Sequence, residues 1–396
     1  MKYWRGYLVA AIFAAITLGL REIAETHTKL VDMVYPYVTR MVQNFMSGWS
    51  GAVDFCVWQV LLLILAVLGL ATVVLMVIFR WNPIQWFGWI VAAATVVMML
   101  HTGIFGLNEF AGPIYEDIRL TIAEGSQEQL EAAANYYRDK ANALSTQVKM
   151  SAEPSLKKLS EQADNGFDHL VYDDYYAVFA GSTAPVKELG MADFFTSQGQ
   201  MGHTAAITGE AAVNMQAPAV MLPFAVCREM CYRMCIASER DKHFGAFLAC
   251  QANEDPQFQY AGYIMAYRYC LNALPQNVAS TVAAKANAQV ATDVQAWEEF
   301  VKIKEPIKVD PDEFINKIAQ KESNKKTQAE TDLEIVQLLV SWHYEKIVLP
   351  SIVEPVKEFD PYDETMVDLT GLPHVPAPTE PVVTEEVTEE VTEEAA

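Results

Sequence analysis

The sequence predicts a mainly α protein in which three N-terminal transmembrane helices precede a largely helical domain. Two observations carry this. Phe55–Phe79 is a run of 25 residues without one charge, and Ile84–Leu107 is a second uncharged run; at about 1.5 Å of rise per residue, each is long enough to cross the roughly 30 Å of bilayer hydrocarbon. Beyond residue 108, apolar residues recur at steps of three and four, with capping and stop residues between the periodic stretches.

Gly6–Leu20, the first of these elements, is 15 uncharged residues following Lys2 and Arg5, a length that suits a signal-peptide core as well as a membrane span. Leu20-Arg21-Glu22-Ile23 is a poor signal-peptidase substrate, so an uncleaved span is the better reading. The membrane domain is then 1–107, with spans at about 6–20, 55–79 and 84–107. Arg21–Asp54, in which the charges nearly cancel, reads as a loop. Trp81, Trp86 and Trp89 sit near the start of the third span, where indole rings favour the membrane interface, and Arg80, Asn82 and Pro83 leave only a short turn before it. Lys2, Arg5 and Arg80 share one side of the membrane; the positive-inside bias makes that side cytoplasmic and everything after Leu107 extracytoplasmic.

The domain is expected over 108–350. Ser126 with Gln129 three residues on forms a capping-box pattern, and Leu130, Ala133, Tyr137, Ala141 and Leu144 follow it at helical spacing, which predicts a helix over 127–148. A second helix surrounds Leu156, Leu159 and Ala163 and should stop near Asn165-Gly166. Residues 186–222, with Gly190, Gly199, Gly202 and Gly209, lack a helical period and are the place for short strands or the edge of an active site. Pro223 opens a helix running to about Ala237. Ser238 with Asp241 resembles a capping box for a helix to Gln251, and Asp255-Pro256 starts another that stops before Pro275. Helices near 278–303 and 312–346 complete the domain. In the remainder, 351–396, seven Glu fall within Glu380–Ala396 after Pro376, Pro378 and Pro381; such a segment buries too little apolar surface to offset chain entropy and should be disordered from about 375.

The chain carries 28 Lys and Arg against 50 Asp and Glu, a net charge of −22. That argues against nucleic acid, whose phosphates select for basic surfaces. No phosphate loop, dinucleotide fingerprint, nucleophile elbow or Cys-x-x-Cys pair is present.

What the chain does carry is a helix that looks like a zinc-protease motif stripped of its metal ligands. In HExxH, two His one turn apart bind zinc and the Glu beside the first acts as general base. Here those three places hold Arg228, Glu229 and Tyr232. Thr208-Gly209-Glu210-Ala211-Ala212-Val213-Asn214, Met221-Leu222-Pro223-Phe224-Ala225-Val226-Cys227-Arg228-Glu229, Phe247-Leu248-Ala249-Cys250 and Tyr260-Ala261-Gly262-Tyr263 together resemble an uncharacterised bacterial family of multi-pass membrane proteins. Its members have three N-terminal spans and a zincin-like extracytoplasmic domain. The resemblance is strongest over the spans and the domain's core, 170–275. It implies blocks reading approximately TGEANVN and HExAH, then an acidic stretch near ARxDEANF, which corresponds here to Glu239, Arg240, Asp241, Lys242 and His243.

The departures from that pattern shape the functional reading. Arg228 is permanently protonated and has no lone pair for a metal, and a fixed charge there repels a divalent cation. Tyr232 is an uncommon zinc ligand. Glu229, vestigial at the general-base position, has no metal-bound water to deprotonate. Arg228 is therefore expected to stand in for the cation and to pair with Glu239 or Asp241. Glu210 and Asn214, from the first block, are expected to line the same cleft.

Two readings follow. The first is a membrane-anchored, non-catalytic relative of a metalloprotease, without cofactor, whose cleft binds a peptide, an envelope component or a membrane-protein partner while its spans sit in the lipid bilayer. The alternative is a working zinc hydrolase with relocated ligands drawn from Asp241, His243 and Cys231, with Glu229 as base. Cys227, Cys231 and Cys235 recur every four residues and read as buried small side chains, with a disulfide from Cys231 or Cys235 to Cys250 or Cys270 left open. Cys56 is expected as a free thiol within the second span. His203, His243 and His101 are weaker candidates.

Overall fold

The computed structural model describes residues 2–123, 125–148, 154–181, 184–301 and 328–352. The acidic tail, residues 302–303 of the helix expected near 278–303 and residues 312–327 of that expected over 312–346 lie outside them.

Three helices are long and apolar enough to cross a membrane: α1 (Arg5–Thr26), α3 (Val57–Ile78) and α4 (Pro83–Ile104), with mean hydropathies of 1.7, 3.2 and 1.7. The side-chain oxygen of Asn82 accepts from the N–H groups of Ile84 and Gln85 and starts α4, with Pro83 in the first turn. α1 continues through Arg21 and Glu22 beyond the expected span. It packs on α4 through small side chains: Gly6 and Ala10 on one helix, Gly88 and Ala92 on the other, are all buried. A Cβ on Gly6 would come within 2.4 Å of the Gly88 carbonyl carbon, so the close approach requires glycine. α3 has no buried residue at all.

Arg21–Asp54 is not a loop. A single non-helical residue, His27, separates α1 from α2 (Thr28–Ser50). Charge balance conceals this helix because its polar residues face the protein: Thr39, Arg40, Gln43 and Ser47 are buried. Arg40 donates to the carbonyls of Met234 and Ala177 at 3.2 and 3.1 Å, and Gln43 to that of Ala206 at 2.9 Å.

The domain is built from helices around one core that includes Phe224, Phe244, Phe247, Phe258 and Ile264. After the short α5 (Ile114–Asp117), α6 (Gln127–Ser145) opens with the expected capping box, Ser126 and Gln129 each binding the other's backbone N–H. α7 (Leu156–Tyr172) runs straight through Gly166. That glycine is a contact point: a Cβ there would lie 2.0 Å from the Ala249 carbonyl oxygen on α10, so it permits helix approach rather than ending a helix.

Residues 186–222 hold the strands β1 (Lys187–Glu188), β2 (Gly202–Ala205) and β3 (Glu210–Val213), with α8 (Ala192–Ser197) between the first two. The sheet order is β1-β3-β2, with β1 parallel and β2 antiparallel to β3. Gly209 turns the β2–β3 hairpin at φ +66° while lying against Ser47 and Met46 of α2, so both conformation and space call for glycine.

α9 (Leu222–Arg233) stops short of Ala237, at a tight turn in which Cys235 adopts φ +71°. α10 (Glu239–Ala252) begins at Ser238 without a side-chain cap, and the Asp241 side chain pairs with Arg240 instead of closing a capping box. α11 (Pro256–Ala273) is capped by Asp255. The stretch expected near 278–303 is two helices, α12 (Gln276–Ala283) and α13 (Ala288–Val301), and α14 (Gln328–His343) leads into a π-helical turn, Tyr344–Val348. All six cysteines are free and buried, so none of the disulfide pairings left open from the sequence forms. Cys56 caps α3 rather than lying within it, its thiol donating to the Glu188 carbonyl at 3.2 Å.

Candidate functional site

The helix α9 crosses behind β2 and β3, and α10 returns alongside it, so side chains from α9, α10 and β2 converge. Arg228 is at the centre. Its Nη1 donates to Glu229, its Nη2 donates to Glu239 at 2.9 Å, and its Nε donates to His243 Nε2 at 3.0 Å. Glu229 is buried and accepts a second bond at 2.7 Å from the Thr204 hydroxyl of β2. Gly202 keeps that edge open, since a Cβ there would lie 2.7 Å from Glu229 Cγ. Lys242 completes the cluster, 2.6 Å from Glu239 and with its ammonium 4.7 Å from the centre of the Tyr232 ring. Two cations and two carboxylates therefore balance.

The electrostatics are those of a locked network. Burial works against the charge on Arg228, yet Glu239 and Glu229 together raise its pKa. Burial also opposes ionisation of Glu239, but Arg228 and Lys242 hold its carboxyl well below the usual range; with 55 % of that side chain exposed, solvent screens much of the effect. His243 is pushed down to about 3 by burial and by the adjacent guanidinium, so the ring is neutral. Its Nδ1 donates to the Glu239 carbonyl at 2.8 Å, which leaves the Nε2 lone pair to accept from Arg228.

The structure thus brings together Arg228, Glu229, Tyr232, Glu239 and His243. Of the two carboxylates considered for Arg228, Glu239 makes the pair. Asp241 faces away and takes Nε and Nη2 of Arg240 at 2.7 and 3.0 Å. Cys231 is fully buried against Gly245, and burial with Cys227 beside it raises its thiol pKa strongly, so the thiol stays protonated. Asp241, His243 and Cys231 therefore do not form a ligand set, and among the described residues no three His, Cys, Asp or Glu side chains group as metal ligands. The donors present do not fit zinc: the guanidinium has no lone pair, and that of His243 is already engaged.

Glu210 and Asn214 serve other ends. The Glu210 carboxylate accepts from the backbone N–H groups of Val57 and Trp58, at 2.8 and 2.9 Å, in the first turn of α3. It also pairs with Lys187, whose ammonium reaches the carbonyls of Ser50 and Phe55 at 2.9 and 2.8 Å. A carboxylate at a helix N-terminus satisfies amides that the helix cannot, so Glu210 fastens the apolar helix to the sheet. Asn214 binds Thr196 and the Gln200 carbonyl and shapes the loop after α8. His203 packs on Trp58, with ring centres 5.0 Å apart, and His101 lies beside Phe105.

Thr204 and Lys187 were not singled out from the sequence, and no local pattern marks either one. Thr204 matters through the Glu229 carboxylate of α9, and Lys187 through Glu210 and the carbonyls of Ser50 and Phe55.

A family of proteins of unknown function, DUF3810, matches residues 31–322. The chain belongs to that family. The match takes in most of α2, both later apolar helices, the sheet and the Arg228 network. No curated protein and no solved structure matches the chain.

Proposed function

We propose that this protein is a membrane-anchored, non-catalytic relative of zinc metalloproteases whose zincin-like extracytoplasmic domain binds a peptide, an envelope component or a membrane-protein partner. The observation that carries the reading is the position of Arg228. Its guanidinium occupies the centre of the motif, between the residual general-base Glu229 and the carboxylate of Glu239, where a metalloprotease would hold its cation. The Glu229 carboxylate is engaged by Arg228 and Thr204, which supports a structural rather than a general-base role.

The extracytoplasmic placement is supported by the basic residues. Tyr7 donates to the Ile84 carbonyl at 3.0 Å, which sets the start of α1, with Arg5, beside the start of α4, next to Arg80. These residues mark the cytoplasmic side, and three crossings put the domain opposite.

Zinc determination on the purified full-length protein tests the reading. The unmodified protein is expected to be zinc-free, as are Arg228→His and Tyr232→His singly. The double variant, which regains two imidazoles one turn apart near Glu239, is expected to bind zinc stoichiometrically. Stoichiometric zinc in the unmodified protein, with peptide hydrolysis that a chelator abolishes, would overturn it in favour of a hydrolase with relocated ligands.

A further inference from the structure

α2 is amphipathic with its polarity reversed. Leu30, Met33, Tyr37, Met41, Phe45 and Trp49 recur at steps of three and four and are between 55 % and 73 % exposed. They form one continuous apolar stripe, while Thr39, Arg40, Gln43 and Ser47 turn inward. A stripe of this size on an aqueous surface is unusual.

Its connections fix where the stripe sits. At its start only His27 separates α2 from α1. At its end, the ammonium of Lys187 holds the carbonyl of Ser50, the last residue of α2, and that of Phe55, two residues before α3. Both ends of a helix about 35 Å long are therefore pinned at the mouths of two apolar helices that read as membrane spans. The apolar surface continues beyond α2. Gly190 is bound through its N–H and carbonyl to the Gln59 side chain in the first turn of α3, and next to it Met191 and Phe194 are 62 % and 59 % exposed.

We propose that α2 is an interfacial helix that lies in the membrane plane and buries the Leu30–Trp49 stripe at the headgroup–acyl boundary of the leaflet on the domain's side. The stripe contains Tyr and Trp, which favour that depth, and no Lys or Arg, so apolar burial rather than anionic-headgroup attraction holds it. The domain, bound to the inward polar face, rests on the bilayer through this helix instead of hanging from a linker. The proposal depends on α1 and α3 crossing the membrane and not on which side is cytoplasmic.

The test uses the full chain in phosphatidylcholine–phosphatidylglycerol vesicles, with nitroxide labels on Met33→Cys, Met41→Cys or Phe45→Cys. The native thiols are buried, so labelling selects the introduced ones. The expected result is higher accessibility to oxygen than to a water-soluble nickel chelate at all three positions. The order should reverse at Tyr175→Cys, a position on the domain that is 84 % exposed. Chelate-accessible labels on the stripe would overturn the proposal, and so would protection from both reagents with spin–spin broadening, the sign of a second copy. A label at Leu65→Cys in α3 separates the failures. If Leu65 reads as lipid-exposed and the stripe does not, the interfacial helix alone is wrong; if Leu65 reads as aqueous, the spans are wrong as well.

Discussion

Glu210 and Glu229 are both buried carboxylates with a basic partner, and the sequence suggests one cleft for the two. Their remaining donors separate them. Glu210 takes two backbone amides at the start of α3, and its lysine reaches two backbone carbonyls of the same corner. Glu229 takes side chains only, from Arg228 and Thr204. A carboxylate that binds backbone holds elements together, whereas one embedded in a side-chain network keeps the layout of a site. The difference teaches that a motif residue's role follows from its donors more than from its neighbours in sequence.

The comparison can be broken most severely at Lys187. Lys187→Met strands the Glu210 charge and is expected to cost about 3–5 kcal/mol, the usual loss when one partner of a buried pair is removed, read as a drop in the denaturation midpoint. Adding Glu210→Gln should recover part of it. Arg228→Met should cost less, about 2–3 kcal/mol, because Lys242 remains close to Glu229 and Glu239 is half in solvent. Equal losses at the two positions would erase the distinction between joint and site.

The pH response sharpens the comparison. A histidine near 6.5 when unfolded and near 3 when folded binds its proton more readily in the unfolded state. Its stabilising contribution is therefore present above about pH 6.5 and is lost as pH falls toward 3, at up to about 1.4 kcal/mol per pH unit. His243→Gln, which can still accept from Arg228, should flatten that part of the unfolding free-energy profile. An unchanged slope would mean that the imidazole is not held neutral by the network. The smallest effect is expected from Thr204→Val, about 1 kcal/mol for one hydrogen bond to Glu229.

Local signals in the sequence were reliable where a residue acts on its own segment. Ser126–Gln129 and Asp255-Pro256 start helices in the structure as they read in the chain. They failed where a distant partner competes. Asp241 looks like half of a capping box but bonds Arg240, and Gly166 looks like a stop but admits α10. The Arg228–Glu239 contact was legible, with Asp241 as the alternative, because a fixed cation on a buried helix needs a carboxylate nearby. Glu210 was misplaced because its partners, the amides of Val57 and Trp58, lie more than a hundred residues earlier. α2 reads as a loop by its nearly cancelling charges, although Leu30, Met33, Tyr37, Met41 and Phe45 recur at helical spacing.

The glycine seam between α1 and α4 bears on how the chain enters a membrane. The two helices that touch are the first and the last of the three, and Gly6 cannot meet Gly88 until synthesis has passed α4. α3 has the highest hydropathy and no buried residue, and its contacts with the sheet are confined to its first turn. α1 is less apolar, and one further apolar helix, α3, is made before its partner α4. A bulky residue at Gly6 would therefore disturb the pairing of the first and last of the three apolar helices while leaving α3 untouched.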